Sequence, residues 1–227
     1  MNAVTKLLAD LVYPRRAMCM GCEDIFGLER DDLCEECRVR LAESWVGPRV
    51  PNRRFRLDGA AYAYNYRGPA GGMVRKLKYG SVWVLAEDMG ADIARAAEQL
   101  RMENLRFATA VPMHPKRLRE RGKNHAELLA RSAAARLSAE YVEILYRTRD
   151  VPQQARLSAP ERRRNLKDAF AVFPEYRELV KGATILLVDD VCTTGSTAKN
   201  CAEALRNAGA RKIYFAAYAV GRGDKRG

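Results

Sequence analysis

The sequence predicts an α/β fold, a parallel sheet flanked by helices, with a small cysteine-rich module in front of it. Three observations carry this. Strand-like apolar runs alternate with helical patterns from Ala60 to Val220, the arrangement of a sheet covered on both faces. Thr184 to Val188 is a continuous β-branched and leucine run, as a strand buried on both sides requires. Four of the six cysteines form two tight pairs, Cys19-x2-Cys22 and Cys34-x2-Cys37. With 227 residues, 48% hydrophobic and 30% charged, the chain is one or two globular domains, and collagen-like or low-complexity classes are excluded. Its net charge of +12 points to a polyanionic partner: nucleic acid, a membrane surface or a small polyphosphate.

At the N-terminus, Leu7, Leu8, Leu11 and Val12 suit one face of a short amphipathic helix packed on its own domain. Asp10 interrupts the apolar stretch and no small-residue cleavage site follows, so the segment does not match a signal peptide. No apolar run approaches the ~18–20 residues of a membrane span. Next come the two knuckles, Cys19/Cys22 and Cys34/Cys37. Four thiolates at this spacing match a closed tetrahedral zinc site, in preference to an iron–sulfur centre or free thiols. The ion is expected to be structural and to supply folding energy that so short a segment lacks. Between Cys19 and Cys37 there are seven acids and one base, a net of −6, which repels a phosphate backbone. A docking module or a cap on a basic domain fits better. Clustered cysteines rather than a dispersed disulfide framework point to a reducing, cytoplasmic compartment. Residues 38–56 form a basic connector of net +5 in which Pro48 and Pro51 break helical continuity. A domain boundary is therefore expected near residue 50, giving residues 1–50 and 51–227.

Beyond it, Ala60 to Tyr66 alternates as a strand. Gly68-Pro69 reads as a turn, and Gly71-Gly72 as a loosened helix start. Val84 to Arg101 reads as a helix and Phe107 to Val111 as a strand. Asn124 to Leu137 is an Ala-rich helix, and Val142 to Tyr146 a strand. Residues 148–168 are polar and basic, without apolar periodicity. Ser196 to Asn207 is a helix closed by Gly209, and Lys212 to Val220 the last strand.

The segment with the most chemistry is Ile185-Leu-Leu-Val-Asp189-Asp190-Val-Cys-Thr193-Thr194-Gly195-Ser196-Thr197. A buried strand delivers two carboxylates to its C-terminal edge, where open α/β sheets bind ligands. A Thr/Gly/Ser loop then leads into a helix, whose first N–H groups with the hydroxyls can cradle a phosphate. The acids can accept hydrogen bonds from a sugar diol. It is neither a Walker A nor a Gly-x-Gly-x-x-Gly loop. Together these groups describe a sugar phosphate.

Residues 185–197 resemble the phosphoribosyl pyrophosphate (PRPP) loop of type I phosphoribosyltransferases. The whole chain resembles the ComF family in its ComFC/GntX-like branch, which joins a four-cysteine ribbon to such a domain. The resemblance extends to Tyr64-x-Tyr66-x-Gly68-Pro69, Leu77-Lys78-Tyr79, Arg117-x3-Arg121-Gly122-x-Asn124, Gln153 and Arg163-x-Asn165. It implies a type I phosphoribosyltransferase-like sheet with a zinc ribbon. It also implies that Asp189 and Asp190 contact the ribose hydroxyls and act in catalysis, while Thr193, Thr194, Gly195, Ser196 and Thr197 hold the 5′-phosphate. Residues 148–168 match a loop that closes over PRPP, and Mg²⁺ is expected to bridge pyrophosphate and ribose oxygens.

The charge distribution agrees. Residues 116–123 are net +4, with Lys116, Arg117, Arg121 and Lys123, and residues 147–167 are net +5, with Arg163. Both follow expected strands, where pyrophosphate would sit.

What the resemblance does not supply is an acceptor. Thr193 stands where purine-salvage relatives carry an acid. A hood over a base would have to come from residues 57–85, where Tyr62, Tyr64, Tyr66 and Tyr79 can stack, although core packing is expected to claim at least two of them. His114 and His125 flank the pyrophosphate loop; hydrogen bonding to loop or ligand is expected of them, with a general-base role as the alternative; His125 replaces an expected Gln, and Lys123 an expected aromatic. Cys192 is expected to be a packing residue, and Arg222-Gly223-Asp224 a chance match to an adhesion tripeptide. Two functions are therefore expected to compete. One is a PRPP- and Mg²⁺-dependent transferase associated with competence. The other is a non-catalytic PRPP-sensing, single-stranded-DNA-handling or scaffold protein, using the connector, the Arg75-Lys76-x-Lys78 cluster and the +4 tail on DNA, or the acidic ribbon on competence proteins.

Overall fold

The computed structural model describes residues 18–23, 33–50, 55–80, 82–148 and 169–221. The expected N-terminal helix, most of the ribbon's acids, Gln153, Arg163, Asn165 and the Arg222-Gly223-Asp224 tripeptide lie outside them.

The described chain runs α1 (Glu35–Glu43), β1 (Trp45–Arg49), β2 (Gly59–Asn65), α2 (Gly68–Tyr79), α3 (Leu85–Glu98) and β3 (Leu105–Ala110). It continues with α4 (Pro115–Arg121), α5 (His125–Arg136), β4 (Glu140–Tyr141), β5 (Leu145–Arg147) and β6 (Phe170–Val172). A 3₁₀ turn at Pro174–Tyr176 leads into α6 (Arg177–Val180), β7 (Thr184–Cys192), α7 (Ser196–Asn207) and β8 (Lys212–Val220). Six strands form one sheet in the order β1-β2-β8-β7-β3-β4. Every pairing is parallel except β1 with β2. β5 and β6 pair separately as an antiparallel couple.

Period-2 alternation splits the central strands between two cores. Leu186, Val188, Tyr214, Ala216 and Tyr218 pack on one face with Leu77, Met89, Ile93 and Leu129 from α2, α3 and α5. Ile185, Leu187, Ile213, Phe215 and Ala217 pack on the other with Ala198, Cys201 and Leu205 of α7. Because adjacent residues of β7 face opposite cores, Asp189 and Asp190 also leave the strand on opposite sides.

Four local expectations change. Trp45–Arg49, on the N-terminal side of the expected boundary, joins the sheet through Trp45↔Tyr64 and Arg49↔Ala60. Pro48 is tolerated there because β1 is an edge strand. Gly68-Pro69 begins α2 rather than ending in a turn, with Pro69 in the first helical positions, where its missing N–H costs nothing. Gly72 is demanded by packing, since a Cβ there would sit 2.2 Å from the Gly21 carbonyl oxygen. The strand expected at Val142–Tyr146 divides. Thr109 Oγ1 accepts the Ile144 N–H at 3.2 Å, drawing the chain out of the main sheet, and it then pairs with β6.

Candidate functional site

Two sites are built on opposite ends of α2. At its start lies the cysteine cluster. Sγ atoms of Cys19, Cys22, Cys34 and Cys37 all fall within 4.8 Å of one another. Cys22 and Cys34 are 3.9 Å apart, close to the roughly 3.8 Å edge of a tetrahedron with ~2.3 Å zinc–sulfur bonds. The Gly21 and Cys34 amides donate to Cys19 Sγ at 3.3 Å each, and the Cys37 amide donates to Cys34 Sγ at 3.4 Å. Burial acts to raise the Cys19 thiol, but backbone donors from Cys34, Cys22 and Gly21 outweigh it and bring it to about 6. Burial and the three neighbouring sulfurs push Cys37 well up. Four sulfurs so arranged cannot all ionise without a cation, and the donor set fits zinc. Lys76 of α2 donates to the Cys19 carbonyl at 3.1 Å, tying this module to the helix.

At the far end of α2, Lys78 meets the acid pair. β7 continues through Asp189 and Asp190 to Cys192, so the carboxylates stand on the strand itself and not in the loop after it. Lys78 Nζ lies 2.7 Å from Asp190 Oδ1, both side chains mostly buried. Burial and the adjacent Asp190 charge push Asp189 up to about 8, against the pull of Lys78 and the Asp190 amide, which donates to Asp189 Oδ1 at 2.8 Å.

The loop after β7 turns at Gly195, whose φ is +70°. A Cβ there would also strike Phe55 at 2.7 Å, so glycine is required twice over. No side chain caps α7 at Gly195. The contrast is α5, where Asn124 accepts from the Ala126 amide at 3.2 Å and donates to the Val111 carbonyl at 3.1 Å. Thr194 and Ser196 hydroxyls are 2.9 Å apart at the helix start, where Thr194 Oγ1 also accepts the Ser196 N–H at 3.4 Å. Residues Thr193 to Thr197 line one recess with Asp189.

A neighbouring cavity of about 190 Å³ gathers Lys78, Arg117, Arg121, Asp189, Asp190 and Thr197. His114 also lines it, as do Arg147 and Phe170 from the β5–β6 couple. Of the expected loop bases, Arg117 and Arg121 therefore reach the acid pair. Lys116 is exposed outside the cavity, and Lys123 lies over the Trp83 ring with Nζ 4.3 Å from its centroid. Tyr62 and Tyr64 are core residues, whereas Tyr66 and Tyr79 stay exposed. Lys78 is the functional residue whose place the sequence least revealed. In sequence it groups with Arg75 and Lys76 as a DNA-tracking cluster, yet of the three only Arg75 is exposed, and Lys76 and Lys78 are both engaged.

The fold is that of a phosphoribosyltransferase-type domain. Residues 122–226 match the family model for the phosphoribosyl transferase domain. DNA utilization protein YhgH of Salmonella typhimurium is 31% identical over 204 residues, 82% of each chain. The protein of the same name from Escherichia coli O157:H7 is 40% identical over 106 residues, 46% of this chain and 44% of that one. Competence protein F of Haemophilus influenzae is 36% identical over 104 residues, 45% of each. With the E. coli and H. influenzae relatives, then, the match spans less than half their length. Among solved structures, the Bacillus subtilis glutamine PRPP amidotransferase complexed with ADP and GMP aligns at 18% identity and TM-score 0.43, over 63% of this chain and 30% of that one. The chain belongs to the ComF family, that of competence protein F and DNA utilization protein YhgH.

Proposed function

We propose that the protein binds PRPP with Mg²⁺ and transfers its phosphoribosyl group, in a role associated with natural competence and the handling of incoming single-stranded DNA. The observation that carries this is the Thr193–Thr197 loop at the start of α7, which lines one recess with Asp189 and reaches, through Thr197, the cavity that holds Asp189 and Asp190. In this reading the Thr193–Thr197 loop takes the 5′-phosphate and the acids take the ribose hydroxyls. Arg117 and Arg121 face the pyrophosphate, with Lys78 at the acid pair, and Arg163 is assigned to the same end of the ligand from sequence alone. Mg²⁺ supplies charge neutralisation on pyrophosphate oxygens, mostly through ligand and water. Cys19, Cys22, Cys34 and Cys37 hold a structural zinc. As pyrophosphate departs from ribose C1, these preorganised cations meet its growing charge, and the acids stabilise the cationic sugar.

Calorimetry with PRPP and Mg²⁺ tests the reading. Heat of binding is expected, abolished in Asp190→Ala and weakened roughly 10- to 100-fold in Gly195→Ala, as strain of ~1–3 kcal/mol in the cradle implies. Absence of heat with the zinc-loaded protein would overturn it. The relatives' names, DNA utilization protein and competence protein F, favour a second arm of the same experiment. Single-stranded DNA binding that falls steeply with salt would support direct DNA handling. Among the described residues no helix is long and apolar enough to cross a membrane.

A further inference from the structure

The cysteine module does not merely sit near the start of α2; it is packed into it. A Cβ on Gly72 would come within 2.2 Å of the Gly21 carbonyl oxygen, inside the first knuckle. A Cβ on Gly21 would in turn stand 2.9 Å from Cys37 Sγ and 3.0 Å from Pro69 Cβ. The knuckle is therefore wedged between the cluster and the first turn of α2, with room for neither side chain. One turn on from Gly72, Lys76 Nζ donates to the Cys19 carbonyl at 3.1 Å. Gly72 and Lys76 share a face of the helix, as residues four apart do.

Lys78 leaves the helix on another side. At about 100° per residue it stands roughly 200° round from Lys76, and there its Nζ meets Asp190 Oδ1 at 2.7 Å. Met73, Val74 and Leu77 are buried in the core, and the Tyr218 hydroxyl of β8 donates to Met73 Sδ at 3.1 Å. α2 is thus gripped by the module on one side and by β7 and β8 on the other. Its own sequence holds it poorly. Twelve residues is at the margin of what persists as a helix in isolation. Gly68, Gly71 and Gly72 all fall within its first five positions, and glycine weakens a helix. The first turn depends on the knuckle for its place, and the knuckle depends on its ion.

We propose that the cysteine module positions Lys78 through α2, so that closing the cluster with zinc sets how tightly the acid pocket holds an anionic ligand. Gly72 and Lys76 are the positioning residues, and neither lines the acid pocket. With the cluster closed, the knuckle fixes α2, Lys78 stays against Asp190, and its charge is kept in the cavity it shares with Arg117 and Arg121. With the cluster open, the glycine-rich turn loosens and Lys78 withdraws. The acids then face the pocket without their countercharge and repel a polyphosphate. The ligand half of this coupling rests on the PRPP reading above; the mechanical half does not.

The test uses the full-length protein, with one zinc per chain confirmed by metal analysis. Gly72→Ala displaces the Gly21 carbonyl and Lys76→Met cuts the tie to Cys19, while both keep every cysteine and every pocket residue. In calorimetry, PRPP–Mg²⁺ affinity is expected to fall roughly 10- to 100-fold in the first and roughly 3- to 10-fold in the second, as for coupling between distinct sites. Lys76→Arg, which retains a donor, is expected to bind as the parent does. In a Lys78→Met background the same two changes are expected to cost less than about twofold more, because their target is gone. Amide hydrogen exchange gives a readout that needs no ligand. Zinc chelation is expected to speed exchange at residues 76–79 about tenfold while β7 and β8 stay protected. If chelation also opens β7 and β8, zinc-loaded Gly72→Ala is read in its place, with the same expectation. The proposal is overturned if zinc-loaded Gly72→Ala and Lys76→Met leave affinity and exchange unchanged, or if their effects add in full to that of Lys78→Met, as a merely structural module requires. If the parent protein gives no heat with PRPP–Mg²⁺, the PRPP reading falls, and exchange at residues 76–79 alone decides the mechanical half.

Discussion

The cysteine cluster and the acid pair face the same physical problem at opposite ends of α2. Each crowds groups that repel when ionised. In the cluster, four sulfurs lie within 4.8 Å and backbone amides aim at two of them, an arrangement that a divalent cation completes. At the acid pair the countercharge is one lysine, Lys78, at 2.7 Å from Asp190, while Asp189 is pushed up to about 8 and so tends to keep its proton. The sulfur site is closed by its own ligands. The acid site is left part-neutralised and open to a cavity. A permanent cation makes a structural element, whereas an incomplete one leaves room for a cationic or hydroxyl-bearing ligand.

Removing each countercharge separates the two designs. Zinc chelation, or Cys37→Ser, should have the largest effect, since structural zinc in small modules carries ~10–16 kcal/mol of binding free energy. Stoichiometric zinc by metal analysis and the melting temperature should fall together. Lys78→Met should cost about 1–3 kcal/mol in urea unfolding at pH 7, less than a fully buried pair because some solvent reaches both groups. It should also raise Asp189 further. Asp189→Asn should act in the opposite direction and least. The native state holds a proton that an unfolded aspartate releases near pH 4. Stability contributed by this group therefore falls as pH rises from about 4 to about 8. The variant should be more stable than the parent near pH 8, by roughly 1–2 kcal/mol once the solvent that reaches the mostly buried side chain is allowed for. The gap should close below pH 4. If Asp189→Asn destabilises near pH 8, the two sites do not differ as described.

Much of this was legible in the order of residues. The run at Thr184–Val188 marked the central strand because only a strand buried on both faces tolerates unbroken apolar residues. The cysteine spacing marked the cluster because chelation geometry is local. Gly195 was read as a turn residue, and its φ of +70° agrees. What escaped depends on partners distant in sequence. Gly47 and Pro48 made β1 look like a linker, and only its place at a sheet edge excuses them. Lys78 looked like one more base in a cationic cluster until α2 brought it to Asp190. The division of Val142–Tyr146 follows from a single side chain, Thr109, on another strand. His125 stood out only as a departure from the expected glutamine. Its burial, at 1% exposure, is a tertiary fact.

The strand order has a consequence for how the molecule is made. β8 lies between β2 and β7 and pairs with both, from Gly59↔Tyr214 to Cys192↔Val220. During synthesis β2 and β7 each wait with an open edge until Lys212–Val220 has emerged. Open apolar edges invite wrong pairing, and contacts so distant in sequence form slowly. The cysteine knuckles can close early, because all four cysteines lie between residues 19 and 37, ahead of every strand of the sheet. A nascent chain thus holds its closed cysteine cluster long before the two halves of its sheet are joined.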